Sequence, residues 1–413
     1  MSDTSCLARP SATVTLKSEK AARAGHPWVY GEEITALDGT PENGGLVDVY
    51  SQKHRYLGTG FYNDHSKIRV RIVSRNKTDR IDDAFWARRV RYALDYRKTV
   101  MGADYSACRR IFGEADSFPG LTVDRFENVL SVQCLSLGME MRKDVVLTAL
   151  VNELRRDGAV IDAVYERNDV AIRKLEGMEE YCGYWMGEGL GLSEIPEGRT
   201  SITENGIRYN VDFAGGQKTG FFLDQKYNRL AAARLAPGKK VLDCFTYTGT
   251  FGLNAAYAGA AHVTSVDISQ SAIDAAKEHA RINGLTDRMS FVCADVFDYL
   301  TELYDKGCRD FDYIILDPPA FTKSSSTVKN AQRGYKEINV KAMRLLPRGG
   351  YLATCSCSHF MTDSLFCHML HDAAADAGVA LRQIEARQQA PDHPILWNVP
   401  ETDYLKFYLF QIV

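Results

Sequence analysis

The sequence predicts an α/β protein whose C-terminal half is a doubly wound sheet, preceded by a small β-barrel and a central α/β domain. Three observations carry this reading. From about Thr200 to the C-terminus, strand and helix patterns alternate, as in a parallel sheet with helices on both faces. Successive apolar strands in that half end in an acid, at Asp243, Asp267 and Asp295, and a fourth ends in Asp317-Pro318-Pro319. Residues up to about 75, in contrast, give short strands separated by turn residues.

The barrel strands are Leu46–Tyr50, Tyr56–Phe61 and Ile68–Val73. The last alternates strictly, so Arg69 and Arg71 share one face and Ile68, Val70 and Ile72 the other. Asp82-Asp83 opens a helix whose Trp86, Val90, Ala93, Leu94 and Arg97 follow the i, i+4, i+7 pattern, and Gly102 ends it. Leu121–Asp124, Val129–Cys134 and Ala163–Glu166 read as strands, with a long helix over about Met139–Arg155. The Gly/Glu/Pro-rich stretch Gly187–Gly198 reads as a linker. Ile202–Val211 is a hairpin turning at Asn205-Gly206. The expected domains are therefore 1–75, 76–198 and 199–413.

A chain of 413 residues exceeds one ordinary core. It has no run of 18 apolar residues and no basic-then-apolar leader at its start, and its ten cysteines are too dispersed for a disulfide framework. The expectation is a cytoplasmic protein with reduced thiols and no membrane partner. Net charge is −3, but Ser66–Arg110 has a local balance of +8. That region suits a phosphate backbone, with Arg69, Arg71, Arg88, Arg89 and Arg91 as candidate contacts, or is an ordinary solvated face. His26 and Trp28 are expected to pack rather than to catalyse. The oligomeric state stays open, a homodimer included.

Lys240–Gly252 is an apolar strand, a small-residue turn and a helix start, in which Gly249 would let the backbone approach a ligand. Its glycines lack the GxGxxG spacing of a dinucleotide site. A carboxylate at Asp267 suits the hydroxyls of a ribose, and one at Asp295 suits an adenine amino group. Strand-end acids without a phosphate cradle describe a pocket for a positively charged nucleoside, and S-adenosylmethionine (SAM) is such a ligand.

A second apolar stretch, Tyr351–Ala353, leads into Thr354-Cys355-Ser356-Cys357-Ser358. If it neighbours the Asp317 strand, a carboxylate and a thiol share one crevice. That pair is what methylation of cytosine at C5 requires: a thiolate adds to C6, and an acid assists at N3. Residues two apart on a strand point the same way, so both Cys355 and Cys357 are candidates. Cys355-x-Cys357-x-His359 has no second ligand pair at zinc spacing, so no metal site is expected.

The stretch Phe213–Gln225, the turn Asp243–Gly252, Asp317-Pro318-Pro319 and Ser356-Cys357-Ser358 resemble the large-subunit ribosomal RNA cytosine-C5 methyltransferases, over nearly the whole chain. Arg23–Tyr30 resembles that family's PUA domain, a small RNA-binding barrel, and Phe112–Arg125 its central domain. The resemblance implies a Rossmann-like class I SAM-binding fold and a 23S rRNA partner. It puts Lys218, Thr219, Phe221 and Gln225 on a loop lining the cofactor pocket. Asp243, Phe245, Gly249, Asp267 and Asp295 would surround SAM. The family thiol matches Cys357, with Asp317 beside it. Ala320 stands where related enzymes carry a second cysteine or a lysine, so Cys355 either substitutes for that cysteine or is a passive neighbour. Two further readings are a guanine-N methyltransferase, which would need no thiol, and a non-catalytic RNA-binding assembly factor.

Overall fold

The computed structural model describes residues 9–322 and 324–413. The chain forms two compact units. One takes the chain up to Ile202, with Val211–Phe221 and Pro391–Thr402; the other comprises Thr203–Asn210, Phe222–Ala390 and Asp403–Val413.

The first unit contains two sheets. Six strands, Ser11–Val14, Trp28–Tyr30, Ile34–Asp38, Leu46–Ser51, Tyr56–Tyr62 and Ile68–Ser74, close over a core of Ala12, Val14, Val29, Val47, Val49, Val70 and Ile72. The second sheet has five strands, in the spatial order Tyr181–Tyr184, Ala163–Asn168, Val129–Cys134, Leu121–Phe126 and Ala107–Phe112. The helices Asp83–Met101 and Lys143–Arg156 share one apolar core with this sheet, centred on Trp86, Val90, Leu94, Leu147 and Leu150. Asp82 caps the first helix by accepting from the Phe85 N–H at 2.9 Å.

One expectation is corrected in this unit. The long helix over Met139–Arg155 is two helices, Leu137–Glu140 and Lys143–Arg156. The break falls at Arg142, whose guanidinium folds back onto the carbonyls of Gly44 and Gly138, both at 2.8 Å. In the basic segment, several of the cations are engaged within the protein. Arg71 bridges Glu114 (3.1 Å) and Glu176 (2.9 Å), and Arg89 donates to the carbonyls of Val73 and Ser117. Arg97 is fully buried on Asp116, and Arg91 reaches Glu153 at 3.2 Å. Of the five candidates, Arg88 is exposed without a carboxylate partner among the described residues, and Arg69 is half-buried with its guanidinium 6.0 Å from the Tyr62 ring centre; Lys67, Arg75, Lys77 and Arg80 of the same segment are exposed as well. His26 and Trp28 pack, His26 against Glu401 (3.2 Å) and Trp28 through its indole N–H to Glu114 (3.0 Å).

The second unit is built on seven strands: β1 (Lys240–Cys244), β2 (His262–Asp267), β3 (Met289–Cys293), β4 (Tyr313–Leu316), β5 (Tyr351–Ser356), β6 (Leu381–Arg387) and β7 (Lys406–Ile412). Their spatial order is β3-β2-β1-β4-β5-β7-β6. The four pairings from β3 to β5 are parallel, and β7 runs antiparallel to β5 and β6. The order reverses between β1 and β4, so a crevice opens at their carboxyl ends. The hairpin Arg199–Glu204/Ile207–Asp212 precedes the sheet, and Asn205 (φ 55°) and Gly206 (φ 82°) make its turn.

Candidate active site

The carboxyl ends of β1, β2 and β3 carry three acids, and the structure gives them different duties. Asp243 is fully buried under the turn that follows β1. Its Oδ2 accepts the Thr246 hydroxyl and the Gly252 N–H (2.8 Å), while its Oδ1 has no hydrogen-bond partner among the described residues. Burial lifts its pKa to about 7. Asp243 thus organises the turn from beneath. Gly249 shapes the same turn. It has φ 85°, and a Cβ there would lie 2.9 Å from that of Ala276, so glycine is needed for packing as well as for conformation. Phe245 (φ 60°) and Tyr247 (φ 49°) share this left-handed geometry.

Asp267, at the end of β2, accepts the Tyr247 N–H at Oδ2 and the Ser269 N–H at Oδ1, both at 2.9 Å. Each oxygen keeps a second lone pair for a ligand hydroxyl. Asp295 caps the helix Val296–Asp305 through Oδ1. Beside them Ile268 is 69% exposed, an apolar side chain next to a ribose-type acid. Phe245 meets Phe297 and Phe321 edge-on, each at 6.4 Å between ring centres. A carboxylate pair, an exposed aliphatic side chain and an aromatic cluster fit the ribose and adenine of SAM.

The other half of the site lies at β4 and β5. Gln225 donates to Asp317 Oδ1 at 3.0 Å and is itself held by Asn228 at 2.7 Å. Burial, then the nearby Asp224 carboxylate, raises the Asp317 pKa to about 7. Cys355, on β5, is fully buried, and its thiol is hydrogen-bonded to Asp317 and pushed up by burial. It is not placed as a second nucleophile.

Cys357 lies one residue past β5, is partly exposed, and has its Sγ 4.0 Å from the Pro318 carbonyl. The serines on either side fix its backbone. Ser356 Oγ bonds Tyr335 Oη at 3.1 Å, and Ser358 Oγ donates to the Thr322 carbonyl at 2.9 Å. Lys406 of β7 adds a third tie, donating from Nζ to the carbonyls of Ser358 (2.6 Å) and Tyr404 (2.7 Å). No carboxylate pairs with Lys406 among the described residues. Burial lowers its pKa to about 8, and the neighbouring Cys357 charge opposes that shift. The sequence signal for Lys406 was a lone lysine in the apolar run Leu405–Phe410, and it was missed, as was Ile268.

Three of the residues assigned to the cofactor loop lie in the first unit. Lys218 is exposed at φ 52°, Phe221 is buried, and the buried Thr219 hydroxyl donates to Asp124 Oδ2 at 2.6 Å. Asp124 also takes a two-point ion pair from Arg109, at 2.7 and 2.8 Å.

This sheet order, with acids at the ends of adjacent strands, defines a nucleoside-dependent transferase fold. Residues 170–411 match the family model described as S-adenosylmethionine-dependent methyltransferase, and residues 12–75 match a PUA-like domain. The protein is therefore a SAM-dependent methyltransferase with an N-terminal PUA-like barrel. A solved SAM-dependent methyltransferase from Streptococcus mutans shares the fold, with a TM-score of 0.80 at 24% identity over 97% of this chain and 99% of its own. A methyltransferase solved with S-adenosylhomocysteine is similar at TM-score 0.81, 24% identity and the same coverage. Ribosomal RNA large subunit methyltransferase I of Klebsiella pneumoniae is 40% identical over 397 residues, 96% of each chain. That of Alteromonas mediterranea is 42% identical over 390 residues, 94% of this chain and 95% of its own. The chain belongs to the ribosomal RNA large subunit methyltransferase I family. Among the described residues, no helix is long and apolar enough to cross a membrane.

Proposed function

We propose that this protein methylates C5 of a cytosine in large-subunit ribosomal RNA, with Cys357 as nucleophile and Asp317 as the acid at cytosine N3. The names of its relatives support the RNA class. The observation that carries the chemistry is a partly exposed thiol on a backbone clamped by Ser356, Ser358 and Lys406, beside a buried carboxyl whose pKa is raised to about 7.

SAM, when bound, supplies an electrophilic methyl group. The Cys357 thiolate adds to C6, forming a C–S bond, while N3 takes the proton of Asp317. The resulting electron-rich C5 bonds the methyl carbon as the methyl–sulfur bond breaks and S-adenosylhomocysteine leaves. Loss of the C5 proton expels the thiolate, and N3 returns its proton to Asp317. The buried Lys406 ammonium favours the thiolate electrostatically. Cys355 holds the Asp317 carboxyl by donating its S–H.

In this reading Asp267 binds the ribose hydroxyls, Asp295 the adenine amino group, and Ile268 and Phe245 the apolar faces. Asp243 and Gly249 shape the turn between them. Gln225 orients Asp317. For Lys218, Thr219 and Phe221 the support for a cofactor role is the family resemblance.

The test is incubation of purified protein with labelled SAM and unmodified large-subunit rRNA, followed by nucleoside analysis. 5-Methylcytidine is expected. A methylated guanine would replace this reading with a thiol-independent one, and SAM binding without any methylated product would point to a non-catalytic assembly factor.

A further inference from the structure

We propose that the cleft between the helix Asp83–Met101 and the segment Pro391–Thr402 holds a single-stranded stretch of RNA by base stacking. Both walls belong to the first unit. The polymer's identity rests on the RNA reading above; the site itself is distinct from the strand-end crevice.

The cleft has a volume of about 670 Å³, within the range of about 300–1,000 Å³ typical of ligand sites. Arg88, Tyr92 and Tyr96, spaced four apart, form one stripe along the helix and line the cleft beside Phe85 and Arg89. Tyr92 is 67% exposed and Tyr96 38%. The opposite wall is Pro394-Ile395-Leu396, and the next residue, Trp397, is 97% exposed.

That indole is not on a loose end. Tyr96 Oη and Arg97 hold the carbonyls of Pro391 and Asp392, each at 2.9 Å, and the Arg109 N–H holds Asp392 Oδ2 at 2.8 Å. Asn398, next to Trp397, donates to the Gly25 carbonyl at 2.6 Å. A pinned segment therefore presents a tryptophan to water, next in sequence to the cleft wall.

The charges select the occupant. Arg88 is exposed, its guanidinium donates to the Ala84 carbonyl at 3.4 Å, and it lies 5.9 Å from the Phe85 ring centre. The carboxylates of the cleft are engaged: Asp116 is held by Arg97 at 2.6 and 2.7 Å, and Asp79 by Ser74 and Asn76. Arg89 adds a fixed positive charge at the floor, held against the Val73 and Ser117 carbonyls. Aromatic faces with an available guanidinium suit stacked bases and phosphates. An apolar peptide would find few aliphatic contacts, because Ile395 and Leu396 are the only large aliphatic residues of the lining.

The experiment titrates the full-length protein with a short single-stranded oligouridylate and follows tryptophan fluorescence, with filter binding in parallel. Saturable quenching is expected, and Trp397→Leu abolishes it. By filter binding, Tyr92→Ala and Arg88→Glu each weaken affinity about tenfold or more, with melting temperatures unchanged because both side chains are exposed. Unchanged affinity in both variants would overturn the cleft as the binding site, as would equal affinity for a duplex of the same length. The two readings fail separately. 5-Methylcytidine formation with wild-type RNA affinity in the cleft variants sinks only the cleft. Cleft-dependent binding without 5-methylcytidine sinks only the reaction.

Discussion

The buried ion pairs and the strand-end crevice handle charge in opposite ways. In the pairs, cations meet carboxylates at short range: Arg97 with Asp116, Arg109 with Asp124 and Arg71 with Glu114 and Glu176 in the first unit, and Arg229 with Glu204 in the second. In the strand-end crevice of the second, burial is not compensated in this way. Asp243 and Asp317 are both raised to about 7, and Lys406 is lowered to about 8 with no carboxylate partner among the described residues. Paired charges make structure. Perturbed groups clustered in a crevice are a physical signature of chemistry, which supports the proposed reading of this one.

The contrast can be broken from the structural side first. Arg97→Met strands Asp116 in a buried site and is expected to cost about 3–5 kcal/mol of stability, read by chemical denaturation. Next in size is Asp317→Asn, which removes the acid at N3. Methylation should fall by about a hundredfold or more, with SAM affinity changed little.

That substitution also sharpens the pH dependence. An ordinary aspartate titrates near 4, so a folded-state pKa of about 7 means that the native protein binds this proton more tightly than the unfolded chain. The stabilisation is fully present below about pH 4 and is lost as pH rises through about 7. Denaturation of the cofactor-free protein at pH 5 and pH 8 should therefore show a smaller decline in Asp317→Asn than in wild type.

Lys406→Met should lower the rate about tenfold at pH 7, recovering as the pH is raised and the thiol ionises without help. A pH–rate profile of unchanged shape would reduce Lys406 to a structural tie. The smallest effect is expected for Cys355→Ala, roughly 1 kcal/mol of stability from a small cavity and a rate within a few fold of wild type.

Much of the frame was legible because local chemistry fixed it. Asp82 and Gly102 bound their helix, Asn205-Gly206 makes its turn, and acids end β2 and β4 as the pattern required. What was not legible depended on distant partners. The helix break at Arg142 is stabilised by the carbonyl of Gly44, 98 residues away. The ion pairs of Arg71 and Arg91 were not legible because their carboxylates, Glu114, Glu176 and Glu153, lie outside the basic segment in sequence. Within the site, strand-end position alone did not separate Asp243, which locks a turn, from Asp267, whose oxygens retain acceptor capacity. Nor did the i, i+2 spacing separate Cys355 from Cys357, because the strand ends between them and only one thiol reaches the surface.

The most direct test of the central claim is covalent trapping with RNA carrying 5-fluorocytidine, whose C5 fluorine blocks the final proton loss. With SAM present, wild type and Cys355→Ala should form a denaturation-resistant protein–RNA adduct, and peptide mapping should place it on Cys357. An adduct that persists in Cys357→Ala, or none from a wild-type enzyme that makes 5-methylcytidine, would contradict the account.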